Sequence, residues 1–346
     1  MDKILTINLL ILDWYGHHQR HLPWRESKNP YFIWLSEIIL QQTRVEQGMQ
    51  YYLNFTTHYP TIESLANASE QEILKLWQGL GYYTRARNLH HTAQTVYRDY
   101  KGLFPDNFLE LKKLKGIGDY TAAAIASICF NEAIPALDGN MYRVFARYFG
   151  IYDDIALPKT KKVFFELGIS IIDKNHPGDF NQAVMDLGAT ICKPKNPLCT
   201  DCPLNDSCYA LQKKEQDRLP VKSKKIKVKD RFFHFYLLSN ADHFLLTHRT
   251  QTDVWQHLYT LPLVEQAEEP LSPFGLADFE KTYLYEEKHI LSHQKLWIRF
   301  YTIDLDEKTY EQIRKTNNFI SISKKQLDQY PLPKPIEKFM KLKYFN

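Results

Sequence analysis

No stretch of the 346-residue chain holds the roughly 18 consecutive apolar residues of a membrane-spanning helix. The apolar run from Ile4 to Leu12 follows Lys3 as a signal sequence would, but no small-residue cleavage site comes after it. Asp13, Trp14, Tyr15 and the polar stretch His17 to His21 follow instead, which suits the end of a helix better than a removable leader. Cysteine is scarce, with five in all and most of them crowded into one cluster. That argues against the disulfide framework of a secreted protein and predicts a soluble, intracellular one. Charge of one sign is lacking too. The 44 Lys and Arg against 40 Asp and Glu leave a formal +4, too little to point to a nucleic-acid partner. Its distribution is less even: Gln212 to Arg231 holds nine basic and three acidic residues, 9 − 3 = +6, so the remainder is slightly acidic.

What is present is 44% hydrophobic, 14% aromatic and 24% charged residues. That is a globular composition, in a chain long enough for two domains with separate cores. From about 30 to 210 the apolar residues recur with the helical period between Gly, Pro and Asn punctuation. The segments Ile33 to Tyr52, Glu70 to Trp77, Tyr83 to Tyr100, Asp119 to Phe130, Asn140 to Phe149 and Lys159 to Ile172 read as helices, which makes this half all-α. Residues 212–230 are basic and poor in large apolar groups, the composition of a solvated linker. Beyond it Phe233, Phe235 and Leu237 alternate with other residues, Asn240 to Asp242 makes a turn, and Phe244 to Leu246 begins a second strand. With a further strand at Leu296 to Ile303, residues 231–346 form a separate α+β domain.

Three features could carry chemistry. Cys192, Cys199, Cys202 and Cys208 form a C-x6-C-x2-C-x5-C array, four thiolates suited to zinc or to an iron-sulfur cluster, and spacing alone does not separate the two. Leu114 to Thr121 carries Gly116 and Gly118 between one helix and the next, with Asp119 as the expected cap. Such a turn lets backbone N–H groups approach a phosphate at a helix N-terminus, although a plain interhelical turn has the same composition. Two carboxylates complete the set: Glu37, on a helix face with Trp34 and Gln41, and Asp138, just ahead of the helix that follows Gly139. Singly, each has an ordinary explanation as a solvated glutamate or a cap, and only together do they suggest acid and charge-stabilising work.

Pro23-Trp24-Arg25, Trp34-Leu35-Ser36-Glu37, Leu40-Gln41-Gln42-Thr43, Gly79-Leu80-Gly81-Tyr82-Tyr83, Leu137-Asp138-Gly139-Asn140, Phe180-Asn181-Gln182 and Met185-Asp186-Leu187-Gly188 follow one another, over about 20–210, in an order that resembles the MutY adenine DNA glycosylases. The resemblance implies a multidomain protein. An all-α helix-hairpin-helix glycosylase region over 1–211 would contain a six-helix module at about 29–134 and an iron-sulfur module at about 1–28 plus 135–211. The basic linker, 212–230, and a MutT/Nudix-like domain, 231–346, would follow. The metal expectation thereby becomes one four-iron four-sulfur cluster on Cys192, Cys199, Cys202 and Cys208, ordering a basic loop with Lys193 and Lys195 rather than catalysing hydrolysis.

The same resemblance assigns roles. Glu37 would protonate the base, Asp138 would stabilise the charge developing on the sugar, and Tyr120 would align them, standing where the related glycosylase-lyases carry a Schiff-base lysine. Trp24, Arg25, Leu40, Val45 and Gln182 would form the adenine pocket. Gln42, Thr43, Leu80 and Tyr82 would wedge into the stack opposite, and Gly116 and Gly118 would hold a phosphate. The C-terminal domain resembles, more faintly, the MutT-like domain of that family, on Thr247-His248-Arg249 and Val254-Trp255 through Leu261-Pro262. It lacks the pyrophosphatase motif, so recognition rather than hydrolysis is expected of it. Ser292 and His293 would read 8-oxoguanine, and Leu291 stands where the family has Phe. The implied partner is double-stranded DNA with adenine opposite 8-oxoguanine or guanine. A mainly monofunctional monomer of the bacterial cytoplasm, without a membrane, is expected.

Overall fold

The computed structural model describes residues 3–223 and 228–344, and these divide into two compact units. Residues 3–67 and 88–223 form the first, and residues 68–87 with 228–344 form the second. Among the described residues no helix is long and apolar enough to cross a membrane.

The first half of the chain is helical: α1 (Lys3–His18), α2 (Pro30–Ile39), α3 (Val45–His58), α4 (Ile62–Asn67), α5 (Glu70–Leu76), α6 (Thr84–Asp99), α7 (Phe108–Leu111), α8 (Asp119–Phe130), α9 (Gly139–Phe149), α10 (Pro158–Ile171), α11 (Pro177–Thr190) and α12 (Tyr209–Lys213). The helices form because apolar residues fall on one face. Ile7, Ile11, Trp14 and Tyr15 of α1 meet Met141, Val144, Phe145 and Tyr148 of α9 and Phe180, Val184 and Leu187 of α11 in one core. Helix α8 is buried from Thr121 to Ser127. Its alanines at 122, 123, 124 and 126 let α2 and α11 pack closely on it.

Three expectations are corrected. The helix expected over Ile33 to Tyr52 is two helices, because the chain turns at Gln42, a non-glycine residue with φ +56°. Asp119 does not cap α8. Gly118 occupies the cap position, and the Asp119 carboxylate is instead held by Lys112 at 2.5 Å and by Lys161. Of the expected linker, residues 224–227 lie outside the described residues, while 212–223 keeps most of its residues exposed but is not free, being docked on the first unit at Leu219 and Val221. Leu219 is 2% exposed, and Leu219 and Val221 pack against the first unit's core. Val221 O accepts from Ile155 N at 3.0 Å. Those two apolar side chains among the lysines anchor the segment.

In the second unit, β1 (Lys229–Asn240), β2 (His243–His248), β3 (Tyr259–Thr260), β4 (Leu263–Glu265), β5 (Thr282–Ile290), β6 (Gln294–Asp304) and β7 (Ile320–Ser323) make one mixed sheet. Its order is β3-β2-β1-β6-β5, with β4 also paired to β1 and β7 to β2. β1 and β6 run parallel from Lys229↔Gln294 to Ser239↔Asp304. Adjacent residues of a strand face opposite sides. Phe300 stacks on Phe339 of α14 (Lys334–Tyr344) with ring centroids 4.3 Å apart. Tyr301 packs on the other side with Tyr310 and Ile313 of α13 (Glu307–Thr316). This is the expected α+β domain, with a helix on each face.

Candidate functional site

Three helices bring the chemically active groups together. Glu37 projects from the last turn of α2, Tyr120 from the first turn of α8, and Asp138 is the N-cap of α9, its Oδ1 accepting from Met141 N at 2.7 Å. All three line one cavity of about 530 Å³. Trp24, Arg25, Leu40, Val45 and Gln182 line the same cavity, so every residue assigned to the base pocket or to catalysis from the sequence meets there. Sequence reasoning missed the group that fixes Arg25. Asp186 is fully buried, and its two oxygens take Arg25 Nη1 at 2.7 Å and Nη2 at 2.9 Å, while Arg20 Nε donates to Oδ1 at 2.7 Å. A bidentate clamp of this kind sets the guanidinium plane as well as its position. The signal was present in Met185-Asp186-Leu187-Gly188, but nothing local distinguishes Asp186 from a surface aspartate.

Burial controls the ionisation of the cluster. It pushes Glu37 up to about 7; the neighbouring Asp138 adds to the rise, and a hydrogen bond from Tyr120 together with the Arg25 charge oppose it. Asp138 is raised as well by burial, against the hydrogen bonds that it accepts from Met141 N and from Asn140 Nδ2 at 2.5 Å. Burial, with the two carboxylates beside it, drives the Tyr120 hydroxyl well above its ordinary range, so it stays a neutral donor. Tyr120 also lies 3.7 Å from Met185 Sδ. The site thus offers a carboxyl that carries its proton near neutrality next to a second carboxylate stabilised by a helix N-terminus.

Glu37, Tyr120 and Asp138 also line a wider groove of about 870 Å³, along with Gln42, Gly118, Lys112, Lys161 and Lys162. Gly116 has φ +83°, and a Cβ there would lie 2.7 Å from Asn88 Cβ, so both the turn and the close approach require glycine. The space in front of Gly118 is open. Gln42 is exposed at the α2–α3 turn, and Thr43 follows it on the rim of the 530 Å³ cavity.

The four clustered cysteines surround one small cavity of about 30 Å³. N–H groups face their sulfurs: Arg147 Nη1 donates to Cys192 Sγ at 3.3 Å and Gln216 Nε2 to Cys199 Sγ at 3.9 Å. Among the described residues no three His, Cys, Asp or Glu side chains stand in direct metal-ligating geometry. Four soft thiols around one small, partly open space with N–H donors nonetheless form a donor set that fits an iron-sulfur group. Arg143 ties this region to the carboxylates. Its Nε donates to Cys192 O and its Nη2 to Asn140 Oδ1, both at 2.7 Å, and Asn140 in turn holds Asp138.

In the second unit Leu80 is buried and Tyr82 is 48% exposed with φ +49°. Ser292 and His293 are exposed in the β5–β6 turn, and the Tyr82 hydroxyl hydrogen-bonds the Ser292 hydroxyl. One residue proposed as a wedge and one proposed to read the opposite base are therefore brought together.

Comparison with known proteins gives three matched regions: the HhH-GPD superfamily of base excision DNA repair proteins over 35–168, the iron-sulfur binding domain of endonuclease III over 192–208, and the NUDIX domain over 234–342. Adenine DNA glycosylases of two Buchnera aphidicola subspecies are similar. That of subsp. Schizaphis graminum is 33% identical, covering 98% of this chain and 99% of its own; that of subsp. Acyrthosiphon pisum is 38% identical, covering 76% and 75%. The Homo sapiens adenine DNA glycosylase is 41% identical over 60% of this chain and 40% of its own. Among solved structures, a thermostable thymine-DNA glycosylase superposes with TM-score 0.56 at 31% identity, over 61% of this chain and 97% of its own. An endonuclease III–DNA complex superposes with TM-score 0.53 at 22% identity, over 62% and 98%, which speaks to fold alone.

Proposed function

The chain belongs to the adenine DNA glycosylase family, and we propose that it flips and hydrolytically removes adenine mispaired with 8-oxoguanine or guanine in double-stranded DNA. The observation that carries this reading is the cavity in which Glu37, raised to about 7, faces Asp138 and Tyr120.

An adenine inside a duplex is out of reach, so it must leave the stack and enter that cavity. Trp24 and Leu40 offer apolar walls, while Arg25 and Gln182 offer polar groups for the base edge. Protonation of a ring nitrogen turns a poor leaving group into a good one, and Glu37 is the acid positioned to supply that proton at N7. As the C1′–N9 bond breaks, its electron pair goes to the base and positive charge develops on the sugar, which the Asp138 carboxylate stabilises. Water adds to C1′, and the proton that it loses restores Glu37. Tyr120 donates to Glu37 and stays neutral. Because it stands where the resemblance places a lysine in the lyases, no Schiff base forms at that position and the enzyme is mainly monofunctional.

Cys192, Cys199, Cys202 and Cys208 would hold one four-iron four-sulfur cluster, whose binding would pin both ends of the loop, and Lys193 and Lys195 on that loop would contact phosphate. The groove containing Lys112, Lys161 and Lys162 and the open turn at Gly118 would carry the DNA backbone. Gln42, Thr43, Leu80 and Tyr82 fill the gap left by the flipped base. Ser292 and His293 read the opposite base, with Leu291 giving up the stacking that an aromatic ring would add. The protein acts as a monomer in the bacterial cytoplasm.

The test is single-turnover release of free adenine from a duplex with adenine opposite 8-oxoguanine, by wild type and Glu37→Gln. The wild type releases adenine, and the variant is slower by about 10²–10⁴-fold. Thymine opposite guanine, the control suggested by the similarity to a thymine-DNA glycosylase structure, is left intact. Thymine release without adenine release would overturn the assignment.

A further inference from the structure

Behind the 530 Å³ cavity lies another of about 160 Å³, and the two share Arg25, Ile128 and Gln182 as a common wall. The front groove shares Glu37, Leu40, Tyr120 and Asp138 with the base cavity but no residue with the rear one. The three spaces are therefore in series: groove, base cavity, rear cavity. The rear cavity reaches solvent, because Lys28, Asn131, Asn175, His176 and Asp179 on its wall are exposed. Its volume corresponds to about five water molecules at ~30 Å³ each, the scale of one small planar base. The Ser27 hydroxyl, the Asn131 and Asn175 amides and the Asp179 carboxylate offer both donors and acceptors to a purine edge.

We propose that the rear cavity is an exit port for the free purine, which leaves through it while the DNA is still bound. This rests on the adenine reading above. A flipped nucleotide enters from the groove, and its sugar and phosphates then close that side. The excised base then has DNA in front of it and the side-chain wall behind it. The base cavity also has an exposed edge at Arg44, Glu46 and Ala189, and departure over that edge is the outcome that the rear-cavity variants exclude. Arg25 does not move aside, because Asp186 holds both of its terminal nitrogens, at 2.7 and 2.9 Å. The wall opens by rotation of Gln182 and Ile128, both only half-buried.

The experiment uses the full-length, cluster-loaded protein in excess over a bead-immobilised duplex whose target adenine is radiolabelled. Wild type is expected to pass label into the filtrate at the rate of abasic-site formation while protein and DNA stay on the beads. Ser27→Trp and Asn175→Trp, which fill the rear cavity from its outer wall, keep abasic-site formation within about twofold of wild type. They slow label release by about tenfold or more, to the rate of DNA dissociation. If wild-type label leaves only when the DNA does, or if both variants release label at the wild-type rate while still forming abasic sites, the port is excluded. Absence of abasic-site formation by wild type would instead sink the adenine reading, and the port with it.

Discussion

At the scale of the residue, Glu37 shows how the fold trades stability for reactivity. A group raised from 4.5 to about 7 is protonated in the folded protein over a range where the unfolded chain has already ionised. The folded state then binds more protons, so stability is greatest below the unfolded pKa and falls as pH rises toward about 7. Above that the loss levels off at no more than about 3 kcal/mol. Glu37→Gln removes this penalty. Its melting temperature should exceed that of wild type at pH 8 and match it near pH 4, and an equal difference at both values would show that the carboxyl is not destabilised. The same group predicts the pH–rate profile: single-turnover excision falls as pH rises through about 7, where the acid loses its proton. Sequence motifs found Glu37, Tyr120 and Asp138 with their roles; Asp186 stood in a matched motif but its role was not legible, because its burial depends on Arg20 and Arg25 arriving from a distant part of the chain.

At the scale of the element, most long helices were legible from a punctuated apolar stripe, but α11, with Phe180, Val184 and Leu187 buried behind Pro177, was not among the segments expected to be helical. The bounds of α8 follow the pattern closely. The break between α2 and α3 was hidden, because Leu40 to Arg44 has no glycine or proline and the left-handed residue is Gln42. That tight turn, a strained backbone at the rim of the cavity, is a common mark of a functional site. Helix packing reaches the chemistry through α9 and α11. A Cβ on Gly188 would lie 2.4 Å from Asn140 Cβ, and Asn140 Nδ2 holds Asp138 at 2.5 Å. Gly188→Ala should therefore push Asn140 off Asp138 and slow excision by roughly 10- to 100-fold. Overpacking costs about 1–3 kcal/mol of stability, measurable by urea unfolding. A variant that is destabilised but excises at the wild-type rate would show that Asn140 does not position the carboxylate.

At the scale of the whole molecule, the domain types were legible but the grouping of 68–87 was not. Local pattern gives a short helix at 70–77 and no sign that its partners lie far along the chain. Within the second unit Gln71 Nε2 donates to Gln329 O at 2.7 Å, Gln78 Oε1 accepts from Leu332 N at 2.9 Å, and His257 meets Glu70 at 2.6 Å. The seven residues of α5 are far below the length at which an isolated helix is stable. A chain ending at Ser223 should thus show faster amide exchange over 70–78 than the full-length protein, while α8 and α9 keep their protection. It should also excise adenine opposite plain guanine at close to the full-length rate but lose preference for 8-oxoguanine, because Ser292 and His293 leave with the deleted part. The two readouts separate the roles of the domain. Faster exchange with preference retained would make residues 228–344 a scaffold for 68–87, whereas lost preference with unchanged exchange would make them a reader of the opposite base and no support for the segment.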